Sequence, residues 1–335
     1  MKNIRISDVT MKQTGEISLS FKEKIELAKL LDKLGVSVIE LEGIHNAKID
    51  ALRIKSIAMA VQGSVVAVPV ALNRESVQQT WNALRPAKMA RLQVCAPVSS
   101  VQMEYLFHKK PEAMIDAISK TVSACRALCP DVEFIAGDAT RSESDFLSAA
   151  IEAAISAGAA TVTLCDTAGA MLPSEFAEFI RAQYDKVPAL RDVTLGVCCS
   201  NSIAMADACA VMAVSEGVGH IRTTALPLSE ASLSNVVRIL SAKSDTLGVT
   251  TAVKTTQLGR ITSQIDWLCH AGKGKAQNVG SSENDGMFLT LHDTKEDVIA
   301  ATAKLGYDLS DEDAERVYAA FVQIAEKKEK VSFKE

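Results

Sequence analysis

The most regular feature of this chain is an alternation between short apolar runs and longer segments whose apolar residues recur at helical spacing. In the first such segment, residues 22–34, apolar side chains follow the i, i+3, i+4, i+7 spacing of one helix face: Leu27, Leu30, Leu31 and Leu34. The apolar runs are rich in β-branched residues, which is typical of parallel strands buried on both faces. The pattern predicts strand–helix units of roughly 25 to 40 residues each.

Eight such strands are predicted, each followed by a helical segment. They span residues 4–7, 36–41, 64–70, 89–95, 132–136, 161–165, 193–198 and 220–224. Eight strands that alternate with helices predict an α/β fold, a closed (β/α)8 TIM barrel. A doubly wound open sheet is the alternative, but no G-x-G-x-x-G sequence follows the first strand.

The barrel domain is predicted to span residues 1–245, and residues 246–335 form a small, mainly helical C-terminal appendage. Apolar periodicity predicts helices over 253–270, 294–304 and 311–328, with a loop rich in Gly, Ser and Asn over 272–286. A segment of this size cannot bury a rich core of its own. We therefore expect it to pack on the barrel or on a second subunit, which makes a homodimer a reasonable hypothesis.

Composition narrows the class of partner. With 335 residues, 48% hydrophobic and 23% charged, the chain can bury a large core. A net charge of -5 without a basic stripe argues against a nucleic-acid partner. No run approaches the ~20 apolar residues of a membrane span, and no apolar leader is present, so we expect no membrane association and a cytoplasmic location.

The chain contains eight cysteines, and five of them fall in apolar strand or helix segments typical of reduced core thiols: Cys95, Cys125, Cys129, Cys209 and Cys269. No Cys-x2-Cys pair is present, which argues against a structural zinc site. The other three lie at predicted strand ends. The seventh strand ends in Cys198, Cys199 and Ser200, and the strand alternation predicts that Cys198 and Ser200 share a face while Cys199 points away.

Because only the carboxyl ends of barrel strands open to a ligand, these tips are the candidate site. A thiol at Cys198 beside Cys165 and the ammonium of Lys12 would have a lowered pKa and become a nucleophile. Small residues that merely fill space are the favoured alternative. Lys12 could act as a Schiff-base amine if desolvated, but an ion pair with a nearby carboxylate, that of Asp8, Glu40 or Glu42, is the favoured interpretation. All five histidines are interpreted as structural or surface residues: His45, His108, His220, His270 and His292.

Several scattered motifs resemble those of the 2-isopropylmalate synthase and homocitrate synthase family, with hydroxymethylglutaryl-CoA lyase as a more distant relative. These motifs are residues 6–10 (ISDVT), 30–40 (LLDKLGVSVIE), 103–105 (MEY), 132–134 (VEF), 138–142 (DATRS), 166–169 (DTAG) and 305–309 (LGYDL). The resemblance covers nearly the whole chain. It implies a TIM barrel whose parent reaction is a Claisen-type condensation of acetyl-CoA with a 2-oxo acid.

The resemblance also implies a divalent cation, which family members hold with an aspartate on the first strand, a His-x-His pair on the seventh and a nearby asparagine. This sequence departs at those positions. The Arg-Asp pair matches Lys12-Gln13, the His-x-His pair matches Cys198-Cys199-Ser200, and the fifth-strand glutamate matches Gly137. The glycine-rich loop after the eighth strand is matched by residues 225–230. A loop that carries a histidine across the subunit interface is matched by residues 278–285, which contain none.

Loss of a carboxylate and two imidazoles removes the ligands that a hard cation needs, so we expect no metal and no other cofactor. Glu230 could replace the lost asparagine, although a solvated loop carboxylate is the favoured interpretation. The retained chemistry is that of Lys12, Asp138, Arg141, Asp166 and Thr167, and Thr167 matches the hydroxyl that binds the 2-oxo acid carboxylate. The candidate catalytic residues are Lys12 and Cys198, and the candidate substrate-binding residues are Thr167, Asp138, Arg141 and Ser200.

Two functions follow from these candidates. The first is a divergent synthase-like protein that has lost the metal-dependent reaction and acts as a ligand-binding or regulatory pseudoenzyme. Its expected ligand is a small carboxylate or 2-oxo acid, with acyl-CoA as a further candidate. The second is an active acyltransferase or lyase with a metal-independent site rebuilt around Lys12 and Cys198.

Overall fold

Eight parallel strands close into a barrel in the computed structural model of this chain. They are β1 Arg5–Asp8, β2 Val38–Glu40, β3 Val65–Val70, β4 Ala90–Pro97, β5 Val132–Gly137, β6 Thr161–Asp166, β7 Thr194–Cys199 and β8 His220–Thr223. The strands pair in sequence order, and β8 pairs with β1 to complete the ring, with Ile6 opposite Ile221. The structure describes residues 1–13, 19–105, 108, 110–226, 229–277, 288–289, 294–304, 311–325 and 331–332. The predicted TIM barrel and its eight strands are confirmed.

Helices follow the strands and cover the outside of the barrel. They are α1 Phe21–Leu34, α2 Ile49–Ala60, α3 Arg74–Leu84, α4 Ser100–Tyr105, α5 Pro111–Arg126, α6 Ser144–Ser156, α7 Pro173–Lys186, α8 Ala206–Ser215, α9 Leu233–Ala242, α10 Ser244–Leu247, α11 Thr255–Gln277, α12 Lys295–Lys304 and α13 Asp311–Ala325. None of the helices in the described ranges is both long and apolar enough to cross a membrane.

The main core lies between the barrel and this helical layer. In α1, the predicted apolar face supplies Leu27 and Leu31, which are fully buried. The same core includes Leu258, Ile261 and Ile265 of α11, so this helix packs against the helices that cover the barrel. Apolar residues of α12 and α13 form a separate small cluster. The domain boundary at residue 245 stays a prediction, as does the homodimer.

A buried polar network fills the barrel interior below the carboxyl ends of the strands. The Glu133 carboxylate accepts hydrogen bonds from Arg91 Nη1 at 3.2 Å, Gln93 Nε2 at 2.9 Å and Thr163 Oγ1 at 2.5 Å. His220 lies beside it, and burial lowers the pKa of this imidazole to about 4. This network lies beneath the mouth of the barrel, and two of its buried atoms, Arg91 Nη2 and His220 Nδ1, have no hydrogen-bond partner in the described part of the chain.

Candidate functional site

Two cations share one buried carboxylate at the mouth of the barrel. Arg222 on β8 binds Glu40 on β2 through two hydrogen bonds, Nε to Oε1 at 2.9 Å and Nη2 to Oε2 at 3.0 Å. Lys12, which follows β1, donates from Nζ to Glu40 Oε2 at 2.6 Å and to Gln93 Oε1 at 2.9 Å. The favoured ion pair between Lys12 and a nearby carboxylate is therefore confirmed, with Glu40 as the partner.

Burial alone would raise the pKa of Glu40, but Arg222 and then Lys12 outweigh it and lower that pKa. The carboxylate is thus charged and holds both cations. The sequence reasoning missed Arg222. The sequence contains an indication of its role. Strand alternation places His220 and Arg222 on the same face of β8, and a charged residue inside a short buried strand must pair with an opposite charge.

Three thiols lie beside this charged cluster. Cys165 and Cys198 are opposite each other in the register of β6 and β7, and both pack with Ile135 and Cys95 inside the mouth. Cys199 belongs instead to the main core between the barrel and its helices. The predicted alternation, with Cys198 facing inward and Cys199 outward, is confirmed.

The lowered pKa that a nucleophilic Cys198 would need is contradicted by the surroundings of this thiol. A hydrogen bond with Cys165 and burial raise the pKa of the Cys198 thiol well above its usual range. The cation that faces Cys198 is Arg222, whose charge is already committed to Glu40, and no described contact joins Cys198 to Lys12. The thiol is therefore protonated, and a protonated thiol is a poor nucleophile.

The three substrate-binding candidates of the fifth and sixth strands form a cluster of their own. Asp138 has a φ of 60° and is fully buried, and its carboxylate accepts two hydrogen bonds from Arg141, both at 2.8 Å, and one from Ser99 Oγ at 2.6 Å. Its backbone N–H donates to Thr167 Oγ1 at 3.0 Å. Since this bond uses Thr167 Oγ1 as an acceptor, the hydroxyl hydrogen of Thr167 stays available to a ligand.

Ser200, the remaining candidate, forms an isolated antiparallel bridge with Glu230. This bridge folds the loop after β8 back onto the end of β7. Glu230 was expected to be a solvated loop carboxylate, but the residue is only partly exposed, and its Oε2 atom is buried and without a hydrogen-bond partner among the described residues. The neighbouring Ser229 Oγ donates to Gln13 Oε1 at 3.2 Å.

Comparisons with known proteins identify the family of this chain. The HMGL-like family model matches residues 3–265. The chain belongs to the HMGL-like family. It is 28% identical to the 2-isopropylmalate synthase of Carboxydothermus hydrogenoformans, over 99% of this chain and 73% of that protein. It is 30% identical to the 2-isopropylmalate synthase of Psychromonas ingrahamii, over 97% of this chain and 70% of that protein.

An HMG-CoA lyase from Acenitobacter baumannii, solved in complex with coenzyme A and 3-methylmalate, has the same fold as this chain. The TM-score is 0.64 at 13% sequence identity, over 84% of this chain and 98% of that chain. The family resemblance that the motifs indicated is thus confirmed. This chain is an HMGL-like protein with a TIM-barrel fold.

In this HMGL-like chain, the positions matched to metal ligands hold a different set of donors. They are the amide of Gln13, the protonated thiol of Cys198 and the hydroxyl of Ser200. Mg²⁺ and Mn²⁺ select carboxylates and Zn²⁺ selects imidazoles or thiolates, and this set contains none of these groups, so it does not fit such a cation. Within the described ranges, no group of three or more His, Cys, Asp or Glu side chains could hold a metal ion. Residues 278–285, matched to the histidine loop, lie outside the described residues.

Proposed function

We propose that this HMGL-like protein does not catalyse the metal-dependent condensation of acetyl-CoA with a 2-oxo acid, and instead binds a small carboxylate at the mouth of its barrel as a ligand-binding or regulatory protein. The observation that carries the proposal is the exchange of the metal-ligand set for Gln13, Cys198 and Ser200, alongside two cations on Glu40. A cation at the reacting carbonyl stabilises the negative charge that develops there, and removal of a single stabilising group of this kind costs about 3 kcal/mol.

Two cations and a free hydroxyl hydrogen favour a carboxylate ligand. Lys12 Nζ and Arg222 each keep donor capacity beyond their bonds to Glu40, and Thr167 can donate its hydroxyl hydrogen. The HMG-CoA lyase with coenzyme A and 3-methylmalate has both a thioester carrier and a dicarboxylate bound on this fold. We therefore keep acyl-CoA as a second candidate ligand, and a homodimer and a cytoplasmic location belong to the same proposal.

The metal-independent catalytic site around Lys12 and Cys198 has less support. Its nucleophile would be a protonated thiol, and its amine is engaged in an ion pair with Glu40 at 2.6 Å. A Schiff-base amine must be neutral, and an ion pair disfavours that state.

The test combines the purified protein, acetyl-CoA and a panel of 2-oxo acids, with CoA release followed by a thiol reagent. Each reaction is run with a chelator and with added Mg²⁺, Mn²⁺ or Zn²⁺. We expect no release, together with calorimetric binding of a carboxylate that is lost in Lys12→Ala and kept in Lys120→Ala, an exposed lysine of α5. Release that requires the metal would refute the proposal, and release that ignores the chelator but disappears in Lys12→Ala would establish the rebuilt site instead.

A further inference from the structure

The Glu230 carboxylate at the mouth has one oxygen atom that lacks a hydrogen-bond donor in the described part of the chain. Its Oε2 atom is buried and accepts no hydrogen bond from any described residue. Arg222 and Cys198 face it electrostatically, but neither forms an ion pair or hydrogen bond with it in the described part of the chain. A buried acceptor without a donor is costly, and such groups in native proteins are explained by a ligand or an ordered water.

The cations of the mouth have unused hydrogen-bond donors, and one of them, Arg222, faces Glu230. Arg222 commits Nε and Nη2 to Glu40, while Nη1 has only the Cys165 sulfur at 4.0 Å, a distant and weak acceptor. The Lys12 ammonium has three N–H groups and uses two of them, on Glu40 and Gln93. A ligand between these groups would present acceptors to Arg222 and Lys12 and a donor to Glu230.

We propose that the ligand of this site is a carboxylate that carries a hydrogen-bond donor on its C2 atom, an amino or a hydroxyl group, and not a 2-oxo acid. The inference rests on the carboxylate-binding function proposed above. The carboxylate would bind Arg222 Nη1 and Lys12 Nζ, and the C2 substituent would donate to Glu230 Oε2. A 2-oxo group has only acceptor lone pairs, so a 2-oxo acid would leave Glu230 unpaired and place a second acceptor beside it.

Glu230 also determines which member of this class binds more tightly. Within the described residues it has no salt-bridge partner, whereas Glu40 has two. A 2-ammonium group would supply both the donor and a positive charge, so it would form an ion pair with the Glu230 carboxylate, which a hydroxyl group cannot do. We therefore expect the amino acid to bind more tightly than the hydroxy acid of the same carbon skeleton.

The experiment is calorimetric titration of the full-length protein with nine acids, the 2-oxo, 2-hydroxy and 2-amino forms of three carbon skeletons: pyruvate, lactate and alanine; 2-oxoisovalerate, 2-hydroxyisovalerate and valine; oxaloacetate, malate and aspartate. The expected result is at least tenfold tighter binding of the 2-amino or 2-hydroxy form than of the 2-oxo form in at least one skeleton. Glu230→Gln keeps the shape of the side chain and should remove most of that preference. Glu216→Gln, on a glutamate paired with Arg181, is the matched control and should keep it.

The outcomes separate this inference from the function on which it rests. Binding of a 2-oxo acid as tightly as its 2-amino and 2-hydroxy partners, or a preference that survives Glu230→Gln in a folded variant, would overturn the donor assignment and leave carboxylate binding intact. Loss of binding of every acid in Arg222→Met, with the circular dichroism spectrum unchanged, would support the assigned carboxylate contact. No binding of any of the nine acids would instead refute the carboxylate-binding function.

Discussion

Asp8 at the end of β1 is a buried carboxyl group whose environment opposes its ionisation. It is 1% exposed, and burial raises its pKa to about 7 despite hydrogen bonds from the Thr10 N–H and hydroxyl, both at 3.0 Å. Because this pKa lies above the value of the unfolded chain, the folded state binds more protons between the two. The stability from Asp8 is therefore complete below about pH 4 and is lost as the pH rises towards 7.

Asp8→Asn should remove this dependence, since an amide cannot ionise. We expect the variant to be more stable than the parent at pH 8, by a few kcal/mol, and to have no such advantage at pH 4. Urea unfolding at pH 4, 5, 6, 7 and 8 measures the difference. Asp185→Asn, an exposed aspartate of α7, is the control and should give a difference that does not vary with pH. A constant difference for Asp8→Asn as well would contradict the raised pKa.

Gly169, just after β6, has a φ of 60° and lies against the tip of β7. A Cβ atom there would lie 2.5 Å from the Ser200 carbonyl oxygen. Gly169→Ala should therefore destabilise the protein by about 1–3 kcal/mol and weaken carboxylate binding, because β7 must move. Gly259→Ala in α11, where a Cβ would meet nothing within 4 Å, should stabilise by up to about 1 kcal/mol. Thermal and urea unfolding measure the change in stability of both variants. A change of the same sign and size in the two variants would argue against the predicted clash at residue 169.

At the scale of elements, α1 shows how local sequence defines a helix. Ser20 and Glu23 form a capping box at its start, and Gly35, with a φ of 88°, ends it in the left-handed conformation. Ser20→Ala should cost about 1 kcal/mol, measured as a shift in the urea midpoint. Ser123→Ala, on the exposed face of α5, is the control and should be neutral or slightly stabilising. A loss of similar size in both variants would argue against the cap.

The helix after β7 marks the limit of such local rules. The apolar pattern predicts a helix that begins at Ile203, but α8 begins at Ala206. The Ala206 N–H donates a hydrogen bond to Asn201 Oδ1 at 3.2 Å. The intervening turn includes Ala204, with a φ of 61°. Periodicity identifies which residues face the core, but it does not reveal the turn over residues 201–205 that precedes the helix.

At the scale of the whole molecule, the segment after residue 245 is tied to the barrel through α11 and through a short parallel pair, Lys2–Asn3 with Val249–Thr250. A chain that ends at residue 245 loses the buried Leu258, Ile261 and Ile265, each worth about 1.5–3 kcal/mol when fully buried. In urea unfolding, we expect a chain that ends at residue 277 to have a midpoint close to that of the full chain. A chain that ends at residue 245 should have a free energy of unfolding several kcal/mol lower and a midpoint at a lower urea concentration. Equal midpoints for the two truncated chains would instead support an independent barrel domain of residues 1–245.

The sequence by itself determined the barrel and its family. The period of apolar residues is a local property, and each motif that carries the resemblance is a continuous run of residues. It also determined that Cys198 faces the interior, since strand alternation needs no tertiary information. The tertiary structure alone decided the chemistry of the mouth. Arg222 and Glu40 lie 182 positions apart in the chain, and their contact exists only because β8 closes the ring beside β1, two strands from β2. The hydrogen bond with Cys165 and burial keep Cys198 protonated, and the same closure leaves Glu230 Oε2 without a donor among the described residues.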